Sequence, residues 1–309
     1  MKVVTGGAGF IGSHLVEELV KRGEEVAVVD NFHTGSKENL KGLWGNIRVF
    51  EARAGDLQRL NLKDVDVIFH LGIYSSSPMY KKNPELVARV LEDAIKLFEF
   101  AKNRGCKVIL ASTSSIYNGL PLPWKEDMRL LVTDFYTEAR IAVERLAELY
   151  HKLFDVECVI LRLFSVYGPR EESKGKYANI ISQFIWKLMR GEAPVIFGDG
   201  SQTRDFIFVK DVVQAFLLAM ESRIKFDVFN VGTGVAKTFN EIVELINKEM
   251  GTNIQPRYVE NPIKNYVYHT LADTTKAEQV LGFKAKVELE EGVRRTIEYY
   301  KQLETLPEV

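Results

Sequence analysis

The stretch TGGAGFIGSHLVEELVKRG, residues 5–23, constrains the fold more than any other part of the chain. It sets Gly6, Gly9 and Gly12 between an opening strand, MKVVT, and a helix whose apolar positions Ile11, Leu15 and Leu19 recur every four residues. Glycines so spaced permit a tight turn, close approach of the backbone to a pyrophosphate and close packing of helix on strand, while the helix N-terminus supplies amide donors and positive potential. Alone, three glycines describe a plain turn equally well. The next run, EEVAVVD, ends at Asp30, about twenty residues past the last glycine, where a carboxylate accepts hydrogen bonds from an adenosine ribose and repels a 2′-phosphate. Together these features predict a site for NAD rather than NADP.

The runs IRVF, DVIFHLG, KVILAS and VECVILRLF then alternate with helical patterns over 84–104 and 134–153. This alternation predicts an α/β fold, a Rossmann-like doubly wound parallel sheet covered on both faces. Past Gly168-Pro169 the pattern loosens into a charged loop, REESKGK, a helix near 177–190, the turn FGDGSQTRDF, and helices at 209–221, 238–249 and 288–303. We expect residues 1–168 and 206–232 to form the NAD-binding domain, and 169–205 with 233–309 a smaller interleaved C-terminal substrate-binding lobe. Ligand would lie between them, at the carboxyl ends of the strands.

A chain of 309 residues with 46% hydrophobic side chains can bury a sizeable core, and its net charge of −1 gives no general attraction for nucleic acid or an anionic membrane. Any anion must be met by local charge. The two cysteines, Cys106 and Cys158, form no CxxC pattern, so neither zinc nor a disulfide framework is expected. Without a signal peptide or a spanning apolar run, the expected compartment is the cytoplasm.

Further motifs run nearly end to end: VVDN with Gly35 and Asn39-Leu40, GDL at 55–57, VIFHLG, STSSIY, LRLFSVYGPR, IFGDGSQTRDFIFVKDVV, FNVGTG and ADTTKA. In these the chain resembles the extended short-chain dehydrogenase/reductases that act on nucleotide sugars, the NAD-dependent epimerase/dehydratases, and most of all the UDP-glucose 4-epimerase group. The resemblance implies that Tyr136 exchanges a proton with a sugar hydroxyl, that Thr113 holds the same oxygen, and that Arg140 stands where the family has lysine. It implies NAD contacts from Gly6, Gly9, Phe10, Ile11, Gly12, Asp30, Asn31 and Gly35. Asp56, Leu57, Leu71, Gly72 and Ser112 would continue them, with Tyr136 and Arg140. A UDP-sugar would meet Ser76, Thr113, Ser165, Asn179, Phe197 and the diphosphate-binding Arg204. It also implies a homodimer formed through the helices at 84–104 and 134–153.

Arg140 keeps a permanent cation one helical turn from Tyr136, so it retains the electrostatic half of lysine's task. Its planar fork differs from an ammonium at a close ribose contact. Three readings stay open: an active enzyme in which Arg140 does the lysine's work, an enzyme of altered chemistry, and a silent NAD or nucleotide-sugar binder. Other departures from the family's pattern are Asn118, Gly72-Ile73, Ser165 and Asn261. Related dehydratases and decarboxylases carry an acid after the threonine, where this chain has Ser114 and Ser115, and hydroxyls are too weakly acidic to replace it. That favours simple 4-epimerisation through a transient 4-keto sugar. His70, at the end of an apolar strand, reads as a packed core residue rather than a base.

Overall fold

The structure, a computed structural model, describes residues 1–308. In chain order the first half forms β1 (Lys2–Thr5), α1 (Phe10–Lys21), β2 (Val26–Asp30), β3 (Ile47–Glu51), β4 (Val67–His70), α2 (Ser77–Lys82), α3 (Leu86–Arg104), β5 (Lys107–Thr113), α4 (Phe135–Phe154) and β6 (Cys158–Leu163). The second forms β7 (Ser165–Tyr167), α5 (Ile180–Met189), β8 (Val195–Phe197), β9 (Thr203–Phe208), α6 (Val209–Glu221), β10 (Phe226–Val231), β11 (Ala236–Thr238), α7 (Phe239–Met250), β12 (Arg257–Val259) and α8 (Leu289–Tyr300).

Seven parallel strands pair in the order β10-β6-β5-β4-β1-β2-β3. Neighbouring side chains along a strand point to opposite faces. Val3, Ile68 and Val108 therefore pack with Leu97, Phe98 and Val143 of α3 and α4, and Val4, Phe69 and Ile109 with Leu15, Val212 and Phe216 of α1 and α6. Both faces are covered, which is why these strands read as unbroken apolar runs. The chain moves away from β1 in both directions, to β2 on one side and β4 on the other, so a crevice opens beyond their carboxyl ends.

After β6 the chain leaves this sheet for β7, returns for α6 and β10, and leaves again. β11-β9-β7 and β12-β8 form two small sheets, and Phe184, Trp186, Ile242, Val293 and Tyr300 of α5, α7 and α8 close a third apolar cluster. The pattern over 84–104 yields a helix from Leu86 preceded by the separate α2, whose start lies in the Ser75–Ser77 run. The helix expected near 177–190 begins at Ile180, because Asn179 caps it. α8 stops at Tyr300, short of the expected 303.

Candidate functional site

The carboxyl ends of β1, β2, β4 and β5 open on one cleft of about 1190 Å³. Its floor is the glycine turn. Gly6 has φ +69°, and a Cβ there would sit 2.7 Å from the Gly72 nitrogen; a Cβ on Gly12 would fall 2.1 Å from the Gly6 carbonyl oxygen. Only hydrogen fits at either position. α1 follows the N-cap Gly9, with no side-chain cap and no acid in its first turn, so its leading amides are free to meet a pyrophosphate in the cleft that Gly9, Phe10, Ile11 and Gly12 line.

Asp30 is buried and accepts hydrogen bonds from the Ala8 amide at 2.9 Å and the Phe32 amide at 2.8 Å. Burial raises its carboxyl above the ordinary range, against the pull of those amides. A Cβ at Gly35 would come within 3.0 Å of both carboxylate oxygens, so glycine keeps the approach to them clear. Cradle, amides and carboxylate fit a dinucleotide with a free 2′-hydroxyl. His70 lies beneath, fully buried, with Nδ1 2.8 Å from the Thr5 hydroxyl, and burial lowers its imidazole to about 3. It is a core residue.

Tyr136 opens the second position of α4 behind the N-cap Asp134, whose carboxylate accepts from the Thr137 amide at 2.9 Å and the Ser77 hydroxyl at 2.5 Å. Thr113, the last residue of β5, lines the same cleft as Tyr136. Its hydroxyl accepts the Ser115 amide at 3.2 Å, which fixes its rotamer. The Arg140 guanidinium lies 5.3 Å from the Tyr136 ring centroid and donates through Nη1 to the Ala111 carbonyl at 3.0 Å and through Nη2 to the Tyr74 carbonyl at 3.1 Å. It braces the ends of β4 and β5 without closing the cleft.

Behind this pair lies a buried network that sequence reasoning missed. Glu144, two helical turns beyond Tyr136, accepts from Ser112 Oγ at 2.5 Å and from Arg162 Nη2 at 2.7 Å. Arg162 Nη1 donates to the Tyr117 hydroxyl at 2.6 Å, which in turn donates to Asn230 Oδ1 at 2.8 Å. The network joins α4, which carries Tyr136, to β5, which ends in Thr113, and to β6 and β10. A charged residue inside the apolar run CVILRLF was the available signal, since a buried cation requires a partner.

At the other end of the cleft, Ser76, Ser165 and Arg204 line the wall. Arg204 does not pair with the neighbouring Asp205. Its guanidinium donates to the carbonyls of Thr203 at 2.8 Å, Tyr268 at 3.1 Å and Val267 at 2.5 Å, and lies against the rings of Phe239 and Tyr266. Asp205 is buried on the amides of Thr233, Gly234 and Ala272. Among the described residues no carboxylate neutralises Arg204, which leaves a cation facing the cleft.

Of the residues expected to touch cofactor, Gly6, Gly9, Phe10, Ile11, Gly12, Asp30, Asn31, Gly35, Leu71, Gly72 and Ser112 line this cleft together with Tyr136 and Arg140. Asp56 and Leu57, and Asn179 and Phe197 of the expected sugar-nucleotide contacts, are not among the residues that line it. Asp56 is turned into a capping box on the Arg53 amide, and Leu57 is fully buried core. Asn179 caps α5 and donates to the Val166 carbonyl at 3.0 Å, while Phe197 pairs with Val259 in the small sheet.

The sequence pattern of the NAD dependent epimerase/dehydratase family matches residues 2–232. A putative UDP-glucose 4-epimerase of Methanocaldococcus jannaschii is 35% identical over 306 residues, 97% of this chain and 98% of the relative. A UDP-N-acetyl-alpha-D-glucosaminuronate decarboxylase of Bacillus cytotoxicus is 32% identical over 318 residues, covering 98% of each. Among solved structures, the UDP-glucose 4-epimerase of Thermotoga maritima with UDP-glucose superposes with a TM-score of 0.91 at 34% identity, covering 98% of this chain and 99% of that one.

Proposed function

The chain belongs to the NAD dependent epimerase/dehydratase family, and from that premise we propose that it is a nucleotide-sugar 4-epimerase acting on a UDP-hexose. The observation that carries this reading is that Tyr136 and Thr113 face one cleft with Arg140 against the tyrosine ring, while Ser114 and Ser115 follow the threonine. NAD, when bound, supplies a nicotinamide that takes the carbinol hydrogen and gives it back.

Tyr136 is the proton partner of the 4-hydroxyl: it accepts that proton as the carbonyl forms and returns it on reduction. The Thr113 hydroxyl orients the same oxygen. Arg140 places a permanent charge against the face of the tyrosine ring, and its pairing with two carbonyls keeps the guanidinium there. Arg204 meets the diphosphate, to which a guanidinium offers parallel donors. Loss of water or carboxylate needs a further acid or base, and Asp134, the carboxylate next to Tyr136 along the chain, is engaged by Thr137 and Ser77. We take residues 1–168 and 206–232 as the unit that holds NAD and the remainder as the unit that holds the sugar nucleotide.

Incubation with UDP-glucose, followed through the anomeric protons by NMR, is expected to show the 4-epimer growing in with no net consumption of NADH. Carbon dioxide released from UDP-glucuronate, with no epimer formed, would overturn the reading. The same family logic suggests a homodimer: α3 packs on α4, leaving Ile95 (43% exposed), Leu149 (51%) and Leu153 (67%) on the outside. Twice the chain mass by light scattering is expected, and a monomer would oppose it. No helix among the described residues is long and apolar enough to cross a membrane.

A further inference from the structure

We infer that His33 and Tyr74 form an aromatic clasp over the bound NAD and set how slowly the cofactor leaves. Their rings meet edge to face, with centroids 4.8 Å apart and planes at 78°, and both line the cleft. His33 follows β2 and Tyr74 follows β4, and those strands flank β1 on opposite sides. Strands lie about 4.8 Å apart, so the ends of β2 and β4 stand roughly 10 Å from each other. The contact therefore spans the crevice above the glycine turn, where a dinucleotide must run from Asp30 toward Tyr136.

Each half of the clasp is anchored to a residue that faces the cofactor. On the β2 side, Phe32 adopts the left-handed region at φ +53°, which few side chains other than glycine favour, with its amide held by Asp30 Oδ1 at 2.8 Å. The His33 amide is held by Asn31 Oδ1 at 3.2 Å. On the β4 side, the Tyr74 carbonyl accepts from Arg140 Nη2 and from the Tyr80 hydroxyl, each at 3.1 Å, and its ring meets Tyr80 edge to face. A backbone turned into an uncommon conformation on one wall and a carbonyl held twice on the other hold two rings in contact across an open cleft. The inference gains its purpose from the proposed reaction, in which one NAD is oxidant and then reductant and must stay between the two steps. It stands or falls without any sugar.

The test loads the full chain with NAD, removes free cofactor by gel filtration, and follows release with an excess of an alcohol dehydrogenase and ethanol through NADH absorbance. Tyr74→Leu and His33→Ala are each expected to speed release by about tenfold, the scale of losing a well-packed aromatic contact. The double variant should be little faster than the faster single one, because both remove the same contact. Tyr74→Phe keeps the ring and should release at the parent's rate. Melting curves of the variants report that the fold is intact, as expected for an exposed and a half-buried side chain. Release at the parent rate from both Tyr74→Leu and His33→Ala would overturn the clasp, as would Tyr74→Phe releasing as fast as Tyr74→Leu. A chain that leaves UDP-glucose untouched yet shows these rates sinks the 4-epimerase reading and keeps the clasp.

Discussion

The two ends of the cleft are built from different material. At the cofactor end the contacts come from backbone: a glycine turn with no room for a Cβ, uncapped helix amides, and one carboxylate pinned by two amides. At the end proposed for the sugar nucleotide the polar groups are side chains that bond to loop carbonyls, with Arg204 held by three of them and Asn265 donating to the Thr133 carbonyl at 3.1 Å. A backbone cradle has no rotamers to lose, so it is rigid before ligand arrives. Side chains on carbonyls can exchange those partners for a phosphate or hydroxyl at small net cost, since each such bond contributes only about 1 kcal/mol. Rigidity at one end and exchangeable contacts at the other suit a cofactor that stays and a sugar nucleotide that comes and goes.

The contrast is tested most severely at Gly12. Alanine there puts a Cβ 2.1 Å from a backbone oxygen, which can give way only if the glycine turn itself shifts. Gly12→Ala is expected to abolish NAD binding and to lower stability by about 4 kcal/mol or more, read by calorimetric titration and denaturant melts. Tyr136→Phe acts instead on chemistry. Turnover should fall by about 10² to 10⁴-fold, as for loss of a positioned acid/base, with NAD affinity changed far less. A Phe variant that turns over at the parent rate would remove Tyr136 from its assigned role.

The difference between the ends also shows in what each revealed in advance. Gly6, Gly9, Gly12 and Asp30 were legible because backbone geometry leaves its signature in residue type at fixed spacing, and the parallel sheet was legible because its strands are apolar throughout. The Glu144–Arg162–Tyr117 network was not, since its partners lie 18 and 45 residues apart along the chain. The strands β7, β8, β11 and β12 are three residues long, too short to show a period. Asn179 and Phe197 were assigned to the sugar nucleotide by motif position alone, and that position did not show that Asn179 caps α5 or that Phe197 pairs with Val259.

Acid should separate the ends again. His70 and His14 both lie by the cofactor end, and burial lowers each imidazole from 6.5 to about 3. Between those values the unfolded chain takes up protons that the folded one refuses, so stability is full above pH 6.5 and is lost as pH falls below it toward 3. The loss is on the order of several kcal/mol at most for each ring. Thermal melts of His70→Asn should show a shallower decline over that window. An unchanged slope would mean that the ring does not resist protonation in the fold.

Arg140→Lys sharpens the comparison where the two ends meet. One ammonium replaces two guanidinium nitrogens that reach separate carbonyls, of Ala111 and Tyr74. We expect turnover to fall by about tenfold, the effect of roughly one buried hydrogen bond left unmade. A rise instead would mark the arginine as the weaker partner of Tyr136 and point to a site that has drifted from catalysis.

The smallest effect is expected at Asn265, which has φ +57° and ties the loop above the sugar end to Thr133, while Asn118 Nδ2 donates to its carbonyl at 3.1 Å. Asn265→Gly preserves the left-handed conformation and removes only the side-chain bond, so it isolates one exchangeable contact from backbone strain. Such a bond is worth about 0.5–1.5 kcal/mol, which corresponds to a KM for the sugar nucleotide raised by roughly twofold to tenfold. Because the loss falls on the end made of side chains, the rate of NAD release should stay at the parent's value. Faster NAD release with an unmoved KM would show that the loop serves the cofactor, and the division between a fixed end and an exchanging end would have to be redrawn.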